Sequence, residues 1–140
     1  MTNNPALPKT TVRLLLAALA VAIAAGVVGC GDNGVITDPR DIVFPESNVS
    51  YSQHVQPLFD LSCTSSGCHD GYTQAGGLRL ETYADLFQKP GMVRPNDSTR
   101  STLRLAIRGV TVLHPRIEPP LTENQARGIA IWIQEGASNN

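Results

Sequence analysis

Aromatic side chains are scarce in this chain: three Phe, three Tyr and one Trp make up 5% of its 140 residues. That is a thin supply of bulk for a core, although aliphatic residues alone can fill a small one. A marked excess of charge of either sign is also missing. Eleven basic residues face twelve acidic ones, so nucleic acid is not expected as a partner, nor is binding to an anionic surface through net charge. There is no internal repeat and no low-complexity segment. No nucleophile and base pattern suggests a hydrolase, and the chain reads as a non-enzyme. Cysteine is limited to Cys30, Cys63 and Cys68.

An uncharged run from Leu14 to Val28, built of aliphatic residues, alanine and one glycine, has fifteen residues. It is shorter than the roughly 20 apolar residues of a membrane span, and no stop-transfer pattern follows it. With Lys9 and Arg13 before it, the run reads as a secretory signal. Its end, Val27-Val28-Gly29-Cys30, resembles the lipobox of bacterial lipoproteins, in which the cysteine is lipidated and becomes the first residue of the mature chain. Residues 1–29 are thus expected as a signal peptide and Cys30 as the lipidation site. The mature chain would be exported, periplasm-facing or on the cell surface, and anchored to a membrane by lipid. More than one acyl chain would make that anchoring stable. The mature chain keeps nine basic and twelve acidic residues, a formal charge of −3.

Lipidation would leave two cysteines, and they lie together in Cys63-Thr64-Ser65-Ser66-Gly67-Cys68-His69. Two thiols can add across the two vinyl groups of a haem, and a histidine directly after the second is then held beneath the iron as its proximal ligand. The usual spacing leaves two residues between the cysteines, whereas this loop leaves four. Small residues and Gly67, which can take a positive φ, allow the wider loop. The same residues are open to two other readings: a Cys63–Cys68 disulfide in an exported chain, or part of a zinc site with one more ligand.

Residues 30–48 carry Gly, Asn, Asp and two prolines after Cys30 without sustained periodicity and read as a flexible tether, spanning about 20–25 Å on average. Ile42, Val43 and Phe44 could instead pack on the domain as a short extended segment. The domain proper is expected at 49–140, mostly α, with about four short helices. Val55, Leu58 and Phe59 share a helical face that leads to Cys63, with Pro57 in its first turn. Leu78-Arg79-Leu80 reads as extended. Thr82 can cap a helix with Tyr83, Leu86 and Phe87, and Asp97 or Ser98 can cap the next, with Leu103, Ala106 and Ile107 inward. Thr122 and Gln125 fit a capping box before Ala126, Ile129, Ala130 and Ile133, with Gly136 as the stop.

From Tyr51 to Ala137 the chain resembles small single-haem cytochrome c domains of the Planctomycete type. The matching features are Val55-Gln56-Pro57-Leu58-Phe59, Cys68-His69, Gly76-Gly77-Leu78-Arg79-Leu80, Pro95-Asn96-Asp97 with Leu103, Pro119-Pro120-Leu121-Thr122, and Trp132-Ile133-Gln134-Glu135-Gly136-Ala137. The resemblance implies an all-α cytochrome c fold around one covalently bound haem c, first and last helices packed together, and electron transfer with redox partner proteins. One feature departs from the family. The methionine that usually supplies the second axial ligand is replaced by Glu118, which leaves His114 as the candidate distal ligand and Met92 as the alternative. His54 is a weaker candidate. An open iron position would instead make the protein a haem sensor, and a haem-free lipoprotein domain with a Cys63–Cys68 disulfide is the other alternative. Arg100, Arg104 and Arg108, spaced by four, would share a helix face that either is simply solvated or meets haem propionates or an acidic partner.

Overall fold

The computed structural model describes residues 34–108, 117 and 120–140. The signal run and Cys30 lie outside the described residues, as do His114 and Glu118. The chain divides into residues 1–35 and a unit from 36 to 140. The described residues of the second unit are helical, with no strand among them. The four α-helices are α1 (Gln56–Ser62), α2 (Asp85–Gln88), α3 (Thr102–Ile107) and α4 (Glu123–Gln134). Among the described residues no helix is long and apolar enough to cross a membrane.

The helix that delivers the chain to Cys63 starts earlier than Pro57 alone suggests. Ser50 caps a π-turn, Tyr51–Val55, that runs directly into α1. Pro57 therefore sits at a junction inside a helical stretch. The wider i→i+5 turn before it relieves the clash a proline makes with an ordinary preceding turn. Val55, Leu58 and Phe59 are buried as their spacing predicts. They join Leu103, Ile129, Trp132 and Ile133 in one core, and the Tyr51 and Trp132 rings lie 5.6 Å apart.

α4 is the organising helix. Thr122 Oγ1 accepts from Gln125 N, and Gln125 Oε1 accepts from Thr122 N, so the expected capping box is formed. At the other end Gly136, at φ +101, closes a Schellman turn: its N–H reaches Ile133 O, and Ala137 N–H reaches Trp132 O at 2.9 Å.

The flexible tether expected over residues 30–48 ends earlier than that. From Pro39 to Val49 the chain is docked along α4, with Ile42 and Phe44 buried and Val43 turned outward. Burying two apolar side chains is favourable, and α4 meets the strap's backbone with side chains of matching polarity. Asn124 accepts from Phe44 N at 2.8 Å and donates to Phe44 O at 2.9 Å. Gln125 Nε2 donates to Pro39 O and Ile42 O, and the Glu135 carboxylate accepts from Asn48 N and Val49 N. Gly128 makes the close approach possible, since a Cβ there would overlap the Phe44 ring and its Cβ. The folded unit therefore begins near Pro39 rather than residue 49.

The middle of the chain departs from two expected caps. Thr82 does not cap α2 through its side chain; instead Asp85 Oδ2 accepts from Thr82 N at 2.8 Å. Asp97 caps a 3-10 turn, Ser98–Arg100, and α3 starts only after it, at Thr102. Arg100 therefore lies outside α3, near Asp97 at 3.7 Å. Only Arg104 and Arg108 remain as a pair, and with Arg127 of α4 they line a cleft of about 430 Å³. Leu103 is buried, while Ala106 and Ile107 are half-buried.

Candidate functional site

Cys63 is the C-cap residue of α1, its N–H bonded to Phe59 O at 2.8 Å. From there the chain makes a closed loop. Cys68 N–H bonds to Ser65 O at 2.9 Å, and His69 N–H returns to Cys63 O at 3.0 Å, so both cysteines and the histidine lie at the loop's neck. Gly67 takes φ +90, the freedom that the wider loop needs. Asp70 braces the outer turn: its carboxylate accepts from Gly67 N, Tyr72 N and Thr73 N. Its pKa is lowered chiefly by the Thr73 N–H, with burial opposing.

Both thiols are free. Cys63 is partly buried against the core, and burial, followed by its proximity to Cys68, pushes its pKa up to about 12. A thiol with so high a pKa is almost wholly protonated at neutral pH and is a slow partner in disulfide exchange once folded. Cys68 is exposed. Among the described residues no group of three or more His, Cys, Asp or Glu side chains gathers around a metal position. The donors that a zinc site would need are therefore not assembled among the described residues of this loop.

The His69 ring is held by a residue that sequence reasoning missed. Its Nδ1 lies 3.1 Å from Leu78 O. A carbonyl oxygen can only accept, so Nδ1 carries a proton and donates it there, the arrangement ordinarily found at the non-ligating nitrogen of a metal-bound histidine. The backbone is clamped at the same place, with Leu80 N–H bonded to His69 O at 3.0 Å. Only the turn that brings Leu78 there is legible in the sequence; the carbonyl contact is not. Gly76 and Gly77, at φ +63 and +68, turn the chain back so that Leu78-Arg79-Leu80 runs past His69. Leu78 and Leu80 are buried, and the partly exposed Arg79 between them reaches the buried Asp85 carboxylate at 2.7 Å.

Of the other candidates, Met92 lies in the core, 6% exposed, its carbonyl accepting from Leu103 N. His54 sits in the π-turn, its Nδ1 3.2 Å from Ser50 O and its ring against Phe44. Leu61, Cys63, Ile107 and Leu121 are among the partly buried apolar residues that pack against the core. Comparison with family models, with curated proteins and with solved structures finds no match to this chain.

Proposed function

We propose that the protein is a lipid-anchored, single-haem c-type cytochrome that carries electrons between partner proteins, non-catalytic in its own right, with a cytochrome c-like arrangement of its helices. The observation that carries this reading is the His69 ring. It follows directly on a pair of free thiols, and its Nδ1 proton is committed to a backbone carbonyl. Metal-bound histidines ordinarily have their other ring nitrogen fixed in this way. A disulfide would give His69 no such task.

The donor set suits haem. Cys63 and Cys68 would each add S–H across a vinyl group, sulfur bonding one carbon and hydrogen the other, so that attachment needs no oxidant. Because folding buries the Cys63 thiol, its addition belongs before or during folding. His69 would hold the iron through Nε2. When bound, haem supplies a one-electron Fe(III)/Fe(II) couple. Among the remaining candidates we favour His114 as distal ligand over Met92, because the Met92 side chain is already part of the core. Two histidines give a lower potential than a histidine and methionine pair.

The test is the absorption spectrum of the full chain made in a host with cytochrome c maturation machinery. A low-spin haem lacking the near-infrared band of methionine ligation is expected, and His114→Ala should make it high-spin and able to bind carbon monoxide when reduced. A wild type that already binds carbon monoxide readily would favour the sensor reading, and a protein without haem would end the proposal. Lipidation at Cys30, and hence the anchor, is part of the same reading and rests on Val27-Val28-Gly29-Cys30.

A further inference from the structure

Among the described residues a single buried side-chain polar atom has no hydrogen-bond partner, and it is Ser62 Oγ, next to Cys63. Its isolation is unusual in this fold. The buried Gln125 amide donates to two carbonyls, and the Ser101 hydroxyl donates to Asp97 O at 3.0 Å and accepts from Arg94 N. The buried Asp85 carboxylate receives Arg79, Thr82 and Gln88. A serine in the last turn of a helix ordinarily bonds back to a carbonyl of the preceding turn, and Ser62 does not. Buried polar groups left unpaired in a folded protein are uncommon and call for a missing partner. Here the orphan lies one residue before a thiol that the proposed function joins to haem.

We propose that Ser62 is a cofactor-positioning residue: its hydroxyl is held for an acceptor that arrives with the haem bound at Cys63. This rests on the haem reading and adds a residue to it. The acceptors such a group brings are its carboxylate oxygens and the thioether sulfur formed at Cys63. Either would satisfy a hydroxyl that the protein alone leaves unpaired, and a hydroxyl donor near the ring raises the potential by withdrawing electron density.

The hypothesis predicts an inversion of sign. The full chain is prepared without haem, and with haem in a host that attaches it, as wild type, Ser62→Ala and Ser62→Thr. Without haem, Ser62→Ala removes an unsatisfied hydroxyl and should leave the melting temperature unchanged or raise it by about 4–8 °C. With haem the same substitution should lower the melting temperature and the reduction potential, and Ser62→Thr, which keeps the hydroxyl, should restore both. A potential shift that varies with pH assigns the acceptor to a carboxylate, and one that does not assigns it to the thioether sulfur. Equal effects with and without haem, or an unchanged potential, would overturn the inference and leave a buried water as the partner. A wild type that takes up no haem would instead refute the function on which it rests.

Discussion

Asp85 is 1% exposed and still ionised, because its neighbours outweigh its burial. Desolvation on its own would raise the pKa; hydrogen bonds from Arg79 and from Thr82 more than offset it, and the net shift is downward. A carboxylate whose folded pKa lies below its unfolded value, about 3.9, adds stability above that unfolded value. The contribution is lost as pH falls through the folded pKa. Asp85→Asn should therefore flatten the acid side of the stability profile below about pH 4 and cost about 1–3 kcal/mol at neutral pH. Denaturant melts of both proteins from pH 2 to 7 check this; parallel profiles would contradict it. The consequence reaches the site, since Asp85 orders Arg79, and Arg79 lies between the two leucines whose backbones hold His69.

At the scale of elements, the docked strap and α4 form one unit. Phe44→Ala should cost about 3–5 kcal/mol as a large-to-small change in a buried site, and Gly128→Ala about 1–3 kcal/mol by overpacking the same contact. The double variant should cost less than the sum, because the alanine methyl enters space the ring has left. Additive losses in a denaturant series would show that Phe44 and Gly128 do not meet. The elements are unequally legible in the sequence. α4 can be read end to end, since its capping box, its apolar spacing and Gly136 are all local signals. The strap reads as a tether because what docks it is distant: Asn124, Gln125 and Glu135 are about eighty residues away, and no local pattern announces them. Pro57 reads as a helix start because proline excludes an ordinary helix interior, and the π-turn that admits it has no sequence signature. In the candidate site, Cys63, Cys68 and His69 stand out in the sequence because two thiols and an imidazole fall within seven residues. Leu78 is not, since its contribution is a backbone carbonyl available to any residue, and Ser62 is hidden because its role shows only as a bond not made.

For the whole molecule, the docked strap bears on the proposed anchor: if Cys30 is lipidated, the folded unit beginning near Pro39 leaves fewer residues between lipid and domain than a tether reaching residue 48 would. Cys30→Ser should stop lipidation and move the protein out of the detergent-extracted fraction, which fractionation of cells making each version measures. A variant still cleaved and still membrane-bound would point to another anchor. The central claim concerns two bonds, and intact mass of the mature, denatured protein reads them most directly. The account predicts a mass greater than the polypeptide by one haem, with addition at Cys63 and Cys68 and neither thiol left for alkylation. A product two hydrogens lighter than the reduced polypeptide and free of haem would contradict it, and would mean that the loop carrying His69 is closed by a disulfide.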